Sequence, residues 1–308
     1  MAQDAHQMFK KGFENVEGVS KLTDEQLKKL QKLLLVMLQD FIYVADKYGF
    51  NYSLGGGSVL GAVRHGGFIP WDDDIDINMP RIDYLKFEKV FNEELGDKYI
   101  LCAPSIGNNH GMSSVQIKKK GTVYKSFNEL SKTDDQCGIY IDIFVIENVF
   151  DNKILRTIQG VLSLGFGYLL TCRKTLHDLP SLRPYITKNR ELEKAFDIKA
   201  RLGYVTGMIK LDTMAKLTDK IYSLCKNNKS KKVTFPSGRK HFFGEMTDRD
   251  ELTIYTKVMF DGVLVNIPKE FDSYMKRLYG KNYMELPPVS AREQHPLMKL
   301  DFGEKNNE

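Results

Sequence analysis

The chain has 308 residues, 42% of them hydrophobic, enough for one large domain or a core with a second lobe and no need of staples. Its net charge of +5 accompanies 40 acidic residues, which excludes a nucleic-acid-coating protein. Cys102, Cys137, Cys172 and Cys225 form no C-x-x-C pair and no zinc spacing, so reduced, packed thiols are expected.

The N-terminal text MAQDAHQMFKKGF lacks the apolar run of a secretory signal, and export is not expected. From Thr23 a long scaffold helix is predicted. Thr23 and Gln26 fit a capping box, Leu27, Leu30, Leu34, Met37, Leu38 and Phe41 share one stripe, and Gly49 ends it. A short strand over 50–54 then runs into GGGSVLGAVRHGG, read as a tight turn and a short helix with Ser58 as N-cap, ending near Gly66. After the acidic text WDDDIDI, residues 81–95 read as a helix. SSVQIKK, TVYKSF and GIYIDIFVIENV read as strands by their period-two alternation, which makes the first half mixed α/β.

Residues 151–225 turn helical, with no linker composition at either side. Their most apolar stretch, GVLSLGFGYLLTC, is shorter than the roughly 20 residues that cross a bilayer, so a buried core helix is expected ahead of docking at a membrane interface. The C-terminal part reads as one short strand, a helix over 269–278 and a Pro-rich tail. The basic runs at 118–120 and 226–232 lack interleaved aromatics and are expected to be solvated.

Four aspartates within five positions, Asp72, Asp73, Asp74 and Asp76, need an explanation. On an extended strand Asp72, Asp74 and Asp76 share one face while Ile75 and Ile77 pack on the other. Like charges that close repel unless protons or a cation neutralise them, and hard oxygen ligands select Mg²⁺, Mn²⁺ or Ca²⁺. A calcium loop places Asp72, Asp74, Asp76 and Asp83 at positions 1, 3, 5 and 12, but Ile77 stands where that loop needs glycine. Asp142 alternates with Ile141 and Ile143 in an apolar strand that fits beside Asp74 and Asp76, and three carboxylates on neighbouring strands suit phosphoryl chemistry. Small residues at Gly56, Gly57 and Ser58 let a backbone approach an anion, although the lysine of a P-loop is missing.

The order Gly57-Ser58, then Asp74-Ile-Asp76-Ile, then Asp142 resembles the nucleotidyltransferase superfamily. GGGSVLGAVRHGGFIPWDDDIDINMPRIDYLKF is similar to the signature of the LicD family of phosphorylcholine transferases, which also resembles the catalytic part of fukutin-related protein. The similarity runs from Leu54 to Phe87, continues in GIYIDIF and returns weakly in LYGKNYMELPP and REQH. Where the family often has Pro-Leu-Asp after the third carboxylate, this chain reads Val145-Ile146-Glu147.

The resemblance implies an α/β (α+β) fold with a nucleotidyltransferase-like mixed sheet flanked by helices and a helical insertion or second lobe. One catalytic domain would span 1–308, with core motifs at 50–147, an acceptor-side helical region at about 151–250 and a part from 251 to 308 packing back on the core. It implies Mg²⁺ or Mn²⁺ on Asp74, Asp76 and Asp142, with Asp142 alternatively taking the proton of the attacking hydroxyl. The donor would be a CDP-alcohol, CDP-choline favoured, and the acceptor a glycan or teichoic acid sugar, lipid-linked in one reading, with CMP leaving. No nucleic-acid partner is expected, and the location would be cytoplasmic, extending to the inner face of the membrane. Gly56, Gly57, Ser58, Arg64 and Lys118 are candidates for donor phosphates, Asp72 for a further ligand, Trp71 for a quaternary ammonium, and Arg292 and His295 for phosphate or acceptor.

Overall fold

The computed structural model describes residues 20–303 except 109–110, 188–189, 290–291, 293 and 296. The segment read for a secretory signal lies outside the described residues. Helix α1 (Asp24–Tyr48) is bounded as its caps dictate. Thr23 and Gln26 exchange the capping-box bonds, Gly49 takes a left-handed conformation at the end, and the stripe from Leu27 to Ala45 is buried.

Strand β1 (Ser53–Leu54) leads into helix α2 (Gly56–His65), followed by β2 (Asp76–Pro80) and α3 (Arg81–Glu94). β3 (Tyr99–Cys102), β4 (Val115–Lys119) and β5 (Val123–Ser126) precede β6 (Tyr140–Val149). Three helices follow, α4 (Lys153–Ile186), α5 (Arg190–Gly203) and α6 (Leu211–Tyr222), then β7 (Lys232–Thr234), α7 (His241–Gly244), β8 (Thr247–Asp248) and α8 (Arg249–Thr253). The hairpin β9 (Tyr255–Phe260) and β10 (Val263–Pro268), α9 (Phe271–Tyr279) and β11 (Leu297–Asp301) complete the order.

The fold is mixed α/β, as expected. Among the described residues the main sheet has seven strands in the order β1-β2-β6-β4-β3, extended by β7 on β6 and β8 on β7. Its central pair, β2 and β6, is parallel, and β4 lies antiparallel on the other side of β6. Ile75, Ile77, Ile141, Ile143 and Ile117 are buried beneath the sheet with Leu34, Leu38 and Phe41 of α1. That shared apolar layer fixes which way every alternate residue of β2 and β6 faces.

Several expectations are corrected. The strand expected over 50–54 shrinks to two residues. The aspartate strand begins only at Asp76, so Asp72 to Asp74 lie in the segment ahead of it. The single C-terminal strand is a hairpin, turned at Asp261 and Gly262, both with positive φ. An Asp-Gly pair between alternating apolar residues is the standard signal for such a turn, and it stands in the sequence as MFDGVLV. The apolar stretch expected as a buried core helix belongs to the 34-residue α4, where Ile154, Leu155, Ile158, Val161, Leu164 and Tyr168 are exposed. Lys118 is buried, contrary to the solvated basic run expected there.

Glu147, where the family text departs, ties β6 to α3 and through it to α6. Its carboxylate accepts from Arg81 Nε at 3.0 Å, and Arg81 Nη2 donates to Asp219 Oδ1 of α6 at 2.7 Å. Arg81 and Glu147 are both buried, so deleting one partner strands the other charge. Glu147→Ala is expected to lower the urea-unfolding free energy by about 3 kcal/mol. Exposed Glu93→Ala is expected to change it by less than about 0.5 kcal/mol, measured the same way.

Candidate active site

Parallel pairing sets Asp76 opposite Asp142, and the antiparallel pair sets Gln116 of β4 opposite Asp142. Their neighbours Ile77 and Ile143 face the core, so Asp76 and Asp142 rise together on the opposite face. Asp72, Asp74, Asp76 and Asp142 are each partly open to solvent. Burial first, and then Asp74, pushes the Asp142 carboxyl up to about 7, against the Gln116 hydrogen bond that lowers it. Asp76 and Asp72 lie well above the usual carboxylate range, through burial and then repulsion from the neighbouring aspartates, and burial raises Asp74 too.

Asp73 behaves differently. It is buried and accepts from Tyr124 Oη at 2.7 Å, the His295 backbone N–H at 3.0 Å and His295 Nδ1 at 2.9 Å. Burial raises its carboxyl, but those bonds outweigh it and hold the group below its ordinary value. His295 is correspondingly raised to about 10, with burial opposing and Asp73, Asp74 and Asp142 prevailing. An imidazolium thus stands among the carboxylates, 3.9 Å from Asp74. The His295 expected near phosphate or acceptor is brought to the site, held there by an aspartate to which no role was given.

Among the described residues, Asp73, Asp74 and His295 bring ligand-type atoms within 4.8 Å of one another. This gathering does not contain Asp76 or Asp142. A protonated imidazole donates rather than coordinates, so this gathering is an ion pair in the metal-free protein. The half-open carboxylates Asp74, Asp76 and Asp142, raised by burial first and then by neighbouring aspartates, are a hard, acceptor-only oxygen set of the chemistry that Mg²⁺ or Mn²⁺ takes.

The glycine turn sits over this cluster. Gly55, in extended conformation, is the N-cap of α2, which corrects Ser58 as cap. Gly56 has φ +40°, and a Cβ there would overlap Asp76 Oδ2; one on Gly57 would lie 3.0 Å from Asp72 Oδ2. The Gly57 N–H donates to the Asp76 carboxylate and the Gly56 N–H to Tyr274 Oη. Ser58 is buried, and its hydroxyl accepts from the Asp76 N–H, so it fixes the strand start instead of standing open to a ligand.

Two cavities flank the turn. One of about 170 Å³ is lined by Gly56, Asp76, Phe144, Phe235, Arg239 and Tyr274. The other, of about 450 Å³, is lined by Gly57, Arg64, Trp71, Asp72, Arg239 and Tyr279, with the 282–288 segment as its wall. Arg64 Nη1 donates to the carbonyls of Tyr283 and Glu285, which ties that wall to α2. The Trp71 face expected for a quaternary ammonium is covered by the Arg292 guanidinium at 4.2 Å. Lys118, expected at the donor, instead pairs with Glu129 at 3.3 Å and donates to the Gln136 carbonyl at 2.9 Å. The calcium-loop register fails as well. Asp83 is buried in α3 and accepts from Asn51, remote in bonding from the other three aspartates.

Arg239, Tyr274 and Tyr279 escaped the reading of the sequence. Arg239 is exposed and lines both cavities. Both tyrosines stand on α9, Tyr279 within the LYGKNY text and Tyr274 one turn before it, and the weak similarity of that text was the one signal that could have found them.

Residues 49–158 match the sequence profile of the family described as LicD/FKTN/FKRP, nucleotidyltransferase domain. Over this segment the chain is similar to the LicD-family nucleotidyltransferase domain. The chain is 34% identical over 127 residues to the lipopolysaccharide cholinephosphotransferase LicD of Haemophilus influenzae, covering 40% of this chain and 45% of that protein. It is 43% identical over 53 residues to the human ribitol 5-phosphate transferase FKRP, covering 17% of this chain and 11% of that protein. The chain therefore spans less than half the length of either relative. Both are transferases of a phospho-alcohol by name, and the matched LicD domain includes Gly56, Gly57, Asp74, Asp76 and Asp142.

The raised Asp142 carboxyl has a stability consequence. Its folded value near 7 exceeds the ordinary 3.8, so between these limits the folded state binds the extra proton and stability falls as pH rises. His295 carries the same sign between its ordinary 6.5 and about 10, since its contribution is present below 6.5 and lost above. Relative to Asp142→Asn, the metal-free wild type is expected to lose melting temperature from about pH 4 to about pH 7. Mg²⁺ is expected to restore it at pH 8 in wild type and less in the variant, as followed by thermal unfolding.

Proposed function

We propose that this protein transfers a phospho-alcohol, phosphorylcholine from CDP-choline in the favoured reading, to a hydroxyl of a glycan or teichoic acid sugar, with Mg²⁺ bound and CMP released. The observation that carries it is the β2–β6 register, which sets Asp76 beside Asp142 under a glycine turn where a side chain would collide with Asp76. The names of the relatives support the reaction class, and the head group is ours.

Asp74, Asp76 and Asp142 would hold the Mg²⁺, which when bound supplies charge neutralisation at the donor diphosphate. The acceptor oxygen attacks the phosphorus that carries the alcohol, the bridging P–O bond breaks, and CMP leaves with the electron pair. In the alternative role Asp142 stays off the metal and takes the hydroxyl proton, leaving Asp74 and Asp76 as the ligands. Gly56 and Gly57 leave room for the Asp76 and Asp72 carboxylates at the site, and Arg239 between the two cavities adds a guanidinium fork for the diphosphate oxygens. His295, pinned by Asp73, offers positive charge on the same side. The proposal includes a cytoplasmic setting, with a lipid-linked acceptor at the inner membrane face.

The test is CMP release from CDP-choline, CDP-ethanolamine, CDP-glycerol and CDP-ribitol, with and without Mg²⁺ and in the presence of candidate glycan acceptors. Turnover with one donor, lost by about 10²-fold or more in Asp76→Asn at unchanged melting temperature, is the expected result. Pyrophosphate release from a nucleoside triphosphate in its place would make the protein a nucleotidyltransferase in activity as well as in domain. Metal binding with no response to any nucleotide would leave a metal-stabilised scaffold.

Arg239→Ala separates binding from chemistry. It is expected to raise KM for the CDP-alcohol about tenfold while kcat changes little, because the guanidinium meets the diphosphate in both ground and transition states. Steady-state kinetics with varied donor checks this.

A further inference from the structure

Helix α4 is the one helix among the described residues that is long and apolar enough to cross a membrane, yet only 22% of its most apolar window is buried. At about 1.5 Å per residue it runs about 51 Å. Ile154, Ile158, Val161 and Tyr168 recur at helical spacing with Leu155 and Leu164 beside them, and all are exposed. The opposite side carries Gln159, Gly160, Ser163 and Leu170, which are buried.

The helix does not leave the protein to cross a bilayer. Gln159 Nε2 donates to the carbonyl of Asn148 at 2.9 Å, and buried Asp178 accepts from the Ser131 hydroxyl at 2.7 Å. Gly160 lies so close to Phe242 and Phe243 of α7 that a Cβ would overlap Phe243. One face is committed to the body, and the other is open.

The open face continues beyond α4. Past Tyr168 the stripe passes under Cys172, where Gly203 approaches so closely that a Cβ would lie 2.5 Å from the Cys172 carbonyl. The chain that follows presents Tyr204, Val205 and Met208, all more than two-thirds exposed. A run of exposed apolar side chains that continues over two elements and is rimmed by charge marks an interaction site.

Charge selects the occupant. Residues 153–210 hold eleven Lys or Arg against four Asp or Glu, a net +7 in a chain whose total is +5, so the remainder of the protein is net acidic. Lys153, Arg201 and Lys210, all exposed, stand at the ends of the apolar residues. A second copy would bring the same positive region against itself, whereas an anionic bilayer offers hydrocarbon to the stripe and headgroup phosphates to its rim.

We propose that the exposed face of α4, with Tyr204, Val205 and Met208, docks the protein on an anionic lipid bilayer, α4 lying in the plane of the interface. The helix α7 and the loop before it then tie the docked face to the site, since Gly160 packs on Phe243 while Arg239, two residues before α7, lines both cavities. A lipid-linked substrate would be met at the surface that holds the enzyme.

The experiment is sedimentation of the full chain with phosphatidylcholine vesicles, with and without phosphatidylglycerol, in rising salt, beside size-exclusion chromatography with light scattering. Neither donor nor acceptor is present, so the result stands apart from that of the CMP-release assay. Wild type is expected to pellet with the phosphatidylglycerol vesicles, less with phosphatidylcholine alone, and to be released by salt. The variant Ile158→Glu/Val161→Glu/Val205→Glu, confirmed folded by circular dichroism and an unchanged melting temperature, is expected to bind at least about tenfold more weakly. Arg201→Glu is expected to weaken binding only to the anionic vesicles. Failure of wild type to bind phosphatidylglycerol vesicles, or a triple variant that binds as wild type does, would overturn the proposal. So would a wild-type dimer that the triple variant dissolves without any vesicle binding, because the face would then be covered by a second copy.

Discussion

Asp76 and Asp142 are neighbours because Ile77 and Ile143 are. In the parallel pair of β2 and β6 one register serves both faces, and the isoleucines of the lower face, fully buried against α1, set that register. A slip of one residue would put carboxylates into the core and isoleucines into the cleft, at a cost of several kcal/mol for each group misplaced. The hydrophobic layer thus specifies the electrostatic site without touching a ligand. Gln116 on β4 and Ser58 on α2 complete the arrangement with one polar contact each, one to the Asp142 carboxylate and one from the Asp76 N–H.

Such a cluster is expensive to hold together, and the fold meets that cost locally. Of the four aspartates between Trp71 and Ile77, one points away: Asp73 is buried and holds His295, whose imidazolium then faces the others. The tail that carries His295 is fastened on both sides of it. Leu297 opens β11 on β5 and bridges to Ser20, while Arg292 stacks on Trp71. The C-terminal tail is therefore part of the site's charge balance, and the Asp-rich stretch serves two purposes, repulsion toward the cleft and attraction toward the tail.

Much of this was legible in the sequence, for identifiable reasons. Caps, period and β-branched alternation located α1, α3, β4, β5 and β6, because each is governed by residues adjacent in the chain. The Asp76 and Asp142 pairing was legible because both stand in alternating Ile-Asp-Ile text, where orientation follows from neighbours one residue away. Asp73 was not, since alternation assumes a strand and the strand starts only at Asp76. Lys118 was misread because its partner Glu129 lies eleven residues on, across a turn that no local rule predicts; the carbonyls of the 283–285 segment that hold Arg64 in the cavity lining were likewise beyond any local rule. Arg239 lies in the loop joining β7 to α7 and gained meaning only when that loop was seen to close both cavities.

The reading of α4 failed in the opposite direction and is the more instructive. Its most apolar run, GVLSLGFGYLLTC, is by itself shorter than a bilayer span, and composition alone then favours burial in a core. Burial, however, needs a surface to bury against, and the helices available, α5 and α6, together with α7, cover only one side of it. A helix that must anchor Gln159 and Asp178 inside the protein cannot also turn its isoleucines inward, because the two sets lie on opposite faces of the same cylinder. What remains outside is an apolar strip in the most positively charged part of the chain. The polar contacts that look merely structural, Gln159 to the Asn148 carbonyl at the end of β6 above all, are what keep that strip facing out and in fixed relation to Asp142 at the other end of the same strand.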